Sequence, residues 1–283
     1  MAAMTFKRLR IGLLLASCCV VLPSCEMLAN ANFYSDQELE PLSAQAYDAA
    51  TQETGGKVTS GKDYEMVQRV AQKIAAVAEE PSFQWEARLL QSDVPNAFCL
   101  PNGRIAIYTG ILPITQNEAG LAVVMGHEVA HATLRHGGKR MTQGTIQGGV
   151  LQALGAGMSM TSLEPSTQNM LMAGLGVGGN VLWTLPYSRS SESEADIQGL
   201  RYAIRAGYDP NEAPKLWQRM AQLGGSGGPA WMSTHPASEE RAAALAAAIP
   251  RLIEEEKNWQ PKPVTPAPGA APQKQIAPGA IGR

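Results

Sequence analysis

Hydrophobic positions follow two regimes along the chain. From Ile11 to Leu22 they are unbroken, and Lys7, Arg8 and Arg10 precede them with no acid among the first ten residues. A basic flank followed by twelve apolar residues has the form of a secretory signal and is too short for a membrane-spanning helix. After that the apolar positions become periodic. Ser35-Asp36-Gln37-Glu38 reads as a capping box opening a helix that ends before Gly55-Gly56. Asp63 opens the next: Val67, Val70, Ala71, Ile74, Val77 and Ala78 recur at helical spacing, and Pro81 follows. Phe83 to Leu90 alternates like a strand. Phe98 to Thr109 predicts a hairpin, turned by Pro101-Asn102-Gly103, with Arg104 to Thr109 alternating on its second arm.

Thr115-Gln116-Asn117-Glu118 reads as a second capping box, for a helix running to about Arg135 with Gly137 as its cap. A helix is predicted from Ser190 to Arg205, stopped by Gly207, and another from Asp209-Pro210. The Ala-rich stretch 237–256 is helical, interrupted near Pro250. Residues 137–185, rich in Gly, Met and Gln, read as helical pieces with mobile joints, and 140–185 is a candidate lid. From Lys257 on, Pro, Ala and Gly dominate, which predicts a disordered tail over 257–283. The expected fold is α+β and mostly helical, with a small sheet beside the helix at 117–135. It occupies one domain, 36–256, behind a linker at 25–35.

Composition narrows the function classes. With 283 residues, 45% hydrophobic, the chain can build a sizeable core. A formal charge of −2 and a pI near 6.1 give no electrostatic footprint for nucleic acid. The four cysteines are Cys18, Cys19, Cys25 and Cys99. Leu22-Pro23-Ser24-Cys25 is similar to a bacterial lipobox, which makes residues 1–24 a lipoprotein-type leader and Cys25 the lipidated residue. Leu15-Ala16-Ser17-Cys18 is the competing box, and Ala29-Asn30-Ala31 would suit ordinary signal peptidase. With Cys25 anchored, Cys99 is a lone thiol and no intrachain disulfide is expected. Glu26 stands where an Asp would favour inner-membrane retention, so the expected place is the bacterial envelope, facing the periplasm and tethered to the outer membrane.

The candidate chemistry sits in His127-Glu128-Val129-Ala130-His131. Four helical residues turn 400°, so the two histidines lie one turn apart on one face and can bind one Zn²⁺. Glu128, beside them, can take a proton from a zinc-activated water and return it to a leaving amine. A catalytic zinc wants a third protein ligand. His136 lies 900° from His127 on a continuous helix, which points it to the opposite side, as a helix-end residue meeting the C-terminal dipole. The stronger source is Glu192-Ser193-Glu194-Ala195-Asp196, at the start of a predicted helix. Glu192 and Asp196 share a face; one carboxylate can bind zinc while the other accepts the free N–H of a ligand histidine.

With these motifs the chain resembles the CAAX prenyl protease and HtpX-like family of zinc metallopeptidases, and more narrowly its soluble periplasmic lipoprotein-type bacterial members. The matching stretches are Asn96 to Gly110, Asn117 to Gly137, Ser188 to Gly199 and Thr234-His235-Pro236, spanning about residues 36–245. The resemblance implies a zincin-like metallopeptidase fold and one Zn²⁺ held by His127, His131 and Glu192. It implies Glu128 as the catalytic acid/base and Asp196 as support for a ligand. His235 could approach the open zinc position as an inhibitory fourth ligand, or donate to the oxyanion; Arg241 could do the latter or hold substrate backbone. In zincins the strand before the active helix pairs with extended substrate, which here points to Arg104, Ile105, Ala106 and Ile107. The implied function is an endopeptidase acting on unfolded or misassembled envelope proteins. A chaperone-like lipoprotein with latent or no proteolysis is the alternative.

Overall fold

The computed structural model describes residues 31–144, 187–223, 230–235 and 239–261. The leader, Cys18 and Cys25, all but the first residues of the 140–185 stretch and nearly all of the 257–283 tail lie outside them.

The chain starts with α1 (Asp36–Glu53), whose N-cap Ser35 and Glu38 form the reciprocal capping box. Then come β1 (Lys57–Val58), α2 (Lys62–Val77), β2 (Glu86–Leu90), β3 (Ala97–Leu100) and β4 (Arg104–Tyr108). The β3–β4 turn, Pro101–Gly103, uses the left-handed region at Asn102 (φ 68°) and Gly103 (φ 85°), which explains an Asn-Gly there. A short α3 (Leu112–Thr115) leads to α4 (Glu118–Thr133). The cap of α4 is Asn117, accepting from the Gly120 N–H, two residues later than the capping-box reading placed it. Further on lie α5 (Arg189–Arg205), α6 (Glu212–Leu223), α7 (Ala230–Thr234) and α8 (Glu239–Glu256). Pro250 lies inside α8 without interrupting it.

The sheet order is β1-β2-β4-β3. β4 runs parallel to β2 (Ala87 opposite Ile105) and antiparallel to β3 (Cys99 opposite Ile105), so it is an interior strand. One sheet face, through Leu90, Leu100 and Ala106, meets Tyr47 and Ala50 of α1. The other, through Leu89, Cys99, Ile105 and Ile107, meets α2 and α4 in the main core. Helix α4 is buried from Gly120 to Thr133, enclosed by α2, β3, α5 and α6. An all-round buried helix is what its Leu, Val, Met and Ala content dictates.

The closest packing is between α4 and α5. A Cβ on Gly126 would stand 2.7 Å from the Gly199 carbonyl oxygen, and one on Gly199 would stand 2.6 Å from the His127 nitrogen. Two glycines therefore let the helix backbones touch, next to the first histidine of the motif. No helix among the described residues is long and apolar enough to cross a membrane.

Candidate metal centre

Helix α4 presents His127 and His131 to α5, which presents Glu192, while His235 enters from the end of α7. All four are buried. His127 Nε2 lies 3.1 Å from His131 Nε2 and 3.2 Å from His235 Nδ1. The Glu192 carboxylate lies 3.4 Å from each Nε2 and 3.1 Å from His235 Nδ1. The four ligand atoms lie within 4.8 Å of one another, close enough for one ion among them at Zn–N and Zn–O distances of about 2 Å. Lone-pair donors packed this closely need a proton or a cation among them, and three imidazoles with one carboxylate are a borderline-soft set that suits Zn²⁺.

Support surrounds the donors. Asp196, one turn after Glu192, sits 3.1 Å from His127 Nδ1. Arg241 reaches Glu192 Oε2 at 2.8 Å and grips Asp196 with two bonds of 2.8 and 2.7 Å, its guanidinium over the Trp217 ring. It thus lies behind the carboxylates, engaged with them rather than with a substrate backbone or an oxyanion. Burial opposes charge on His127, but the neighbouring Asp196 and Glu192 carboxylates prevail and raise its pKa to about 9. Burial likewise acts against the Glu192 carboxylate, yet bonds from His127, His131 and His235 hold it far below the ordinary carboxylate range. His131 goes the other way: burial keeps it neutral, well below its usual value.

Glu128 is buried beside the cluster. Its Oε1 accepts the Trp231 indole N–H at 2.6 Å and lies 3.4 Å from His235 Nε2. Trp231 stacks on His235 and Trp217, with centroids 4.9 and 5.1 Å away. Tyr187 stacks on His131 at 3.9 Å, and its backbone N–H donates to the Thr234 carbonyl. Neither aromatic stood out in the sequence. For Trp231 a signal existed: it precedes His235 by four residues, one helical turn on the same face.

Two further expectations need correction. His136 does not point away from the motif. Helix α4 stops at Thr133, Arg135 takes φ 57°, and the chain is helical again from 136. The break turns the buried His136 ring back, so that its Nδ1 lies 3.0 Å from His131 Nδ1. Gly137 is therefore no cap. The second correction concerns Arg104, Ile105, Ala106 and Ile107. They lie on interior β4, both of whose edges are taken, and Arg104 pairs with Glu40 at 2.7 Å. Within the sheet the edge nearest α4 belongs to β3, Ala97–Leu100.

The chain matches the model of peptidase family M48 over residues 62–249. It is 35% identical over 177 residues to the mitochondrial metalloendopeptidase OMA1 of Schizosaccharomyces pombe, covering 62% of this chain and 50% of the relative. It is 26% identical over 224 residues to a putative beta-barrel assembly-enhancing protease of Vibrio cholerae (78% and 46%). To human metalloendopeptidase OMA1 it is 31% identical over 180 residues (60% and 33%). The matched region thus spans half or less of each of these relatives.

Proposed function

The chain belongs to peptidase family M48, and from that premise we propose that it is a zinc endopeptidase of the bacterial envelope, cleaving unfolded or misassembled envelope proteins. The observation that carries the reading is the convergence of the buried His127, His131 and Glu192 donors, with a buried carboxylate, Glu128, alongside. The three donors would hold the ion. Bound there, zinc would supply Lewis-acid polarisation of the scissile carbonyl and acidification of water. Glu128 takes the proton of the attacking water and hands it to the departing amine. Asp196 holds His127 in one tautomer, and Arg241 keeps Glu192 and Asp196 in place.

A catalytic zinc site keeps one position open. Here His235 Nδ1 lies 3.2 Å from His127 Nε2 and 3.1 Å from the Glu192 carboxylate, so it would compete for that position and hold the site in a resting arrangement. Helix α7 carries both Trp231 and His235. Moving it aside withdraws the fourth donor and frees Glu128 in one motion. Substrate then pairs as an extended strand with the edge of β3, which selects chains that are already locally unfolded.

The envelope placement rests on the leader-like start of the chain, with Cys25 as lipid anchor and 36–256 as the peptidase domain. The name of the Vibrio cholerae relative points the same way. The alternative, a chaperone-like lipoprotein that seldom cuts, is favoured by one observation, the His235 donor packed against the His127 and Glu192 donors. Comparing wild type with Glu128→Gln on unfolded casein decides between them. The expected result is a loss of about 10²-fold or more. Equal rates in the two proteins exclude the mechanism, and binding without cleavage in wild type favours the alternative.

A further inference from the structure

The two ligand histidines are held differently. His127 Nδ1 faces a carboxylate directly, Asp196 at 3.1 Å. His131 Nδ1 faces His136 Nδ1 at 3.0 Å, and His136 Nε2 lies 3.2 Å from Glu194 Oε2. The His136 ring is fully buried, while Glu194 is half-exposed.

The chemistry admits one proton arrangement. If His131 gives Nε2 to a metal, its Nδ1 must carry the hydrogen. Among the described residues, that N–H finds His136 Nδ1 at 3.0 Å, which must then be the bare nitrogen. His136 is left with its hydrogen on Nε2, where the Glu194 carboxylate accepts it. Every donor in this relay meets an acceptor. We propose that His136 and Glu194 are positioning residues for the metal centre: together they fix the tautomer and ring orientation of His131, as Asp196 does for His127. Glu194, which α5 turns away from the ligand face of Glu192, reaches the centre through His136. The proposal rests on the zinc-binding reading of the cluster.

The test is zinc affinity of the full chain, measured by competition for Zn²⁺ with a chromophoric chelator. Glu194→Ala and His136→Phe should each weaken binding by about 10- to 100-fold. The double variant should lose no more than His136→Phe alone, because Glu194 acts only through the ring. Glu194→Asp should recover part of the loss. Circular dichroism establishes that each protein is folded. If His136→Phe does not fold, half-exposed Glu194 carries the test by itself. Wild type that binds no zinc overturns the zinc-binding reading. Wild type that binds zinc while Glu194→Ala, or a folded His136→Phe, holds it within twofold overturns the relay. Additive losses in a folded double variant overturn it too.

Discussion

Replacing Trp231 by Phe separates a latch from a catalytic support. In the closed arrangement the indole N–H donates to Glu128 Oε1 at 2.6 Å, and both groups are buried. Phe keeps an apolar ring between Trp217 and His235 but has no donor. A hydrogen bond to a charged group contributes about 1.5–3 kcal/mol. The loss falls on the docked state alone, because with α7 displaced Glu128 is hydrated. The docked-to-displaced equilibrium therefore shifts by about 10- to 150-fold towards displacement. Where wild type is mostly docked, initial rates on fluorescein-labelled casein should rise by up to that factor, with zinc content unchanged. The rise ends when α7 is fully displaced. A rate below wild type in a folded, zinc-loaded variant would refute the reasoning, since the N–H would then be serving Glu128 during the reaction.

Three further outcomes are expected. Arg241→Met keeps a stem on Trp217 but strips Glu192 and Asp196 of their guanidinium. It should lower unfolding free energy by about 3–5 kcal/mol in urea, and an unchanged midpoint would show that the pairs contribute nothing. Gly199→Ala forces a methyl to within 2.6 Å of the His127 nitrogen, so α4 and α5 must part. The expected cost is about 1–3 kcal/mol together with weaker zinc retention, and wild-type values for both would contradict the close contact. Glu256, buried against Arg205 and Arg201, supplies a pH signature. Burial works to raise its pKa, but the two arginines prevail and hold it below the ordinary carboxylate value. A depressed pKa in the folded state gives stability that is present above the unfolded value and lost as pH falls through the folded one. Glu256→Gln should thus be less stable than wild type at neutral pH, with the gap beginning to narrow below about pH 4 and vanishing once pH is below the folded value; a gap that never narrows on acidification would count against the pairing.

Local periodicity made most elements legible. Ser35 and Glu38 meet in the capping box their spacing requires, and the Asn-Gly turn does join β3 to β4. Helix spacing also put His127 with His131, and Glu192 with Asp196, and the geometry places each pair on one face of its helix. What escaped was non-local. Alternation in Arg104–Tyr108 shows that the segment is extended, but not that Glu86–Leu90 takes its second edge. Periodicity projects His136 along a straight helix, and Leu134-Arg135 contains no Gly or Asn to announce the left-handed turn found at Arg135. The pinning of Glu128 by Trp231 joins residues 103 apart in the chain, beyond any window of periodicity.

Where α4 crosses α5, main chain lies on main chain at Gly126 and Gly199. No rotamer change can adjust that backbone spacing, so the separation of the helix that carries the imidazoles from the one that carries the carboxylate is gauged by bare peptide. Only the side chains are left to accommodate an ion of different radius, and any widening between the helices would begin at two residues that have no side chain at all.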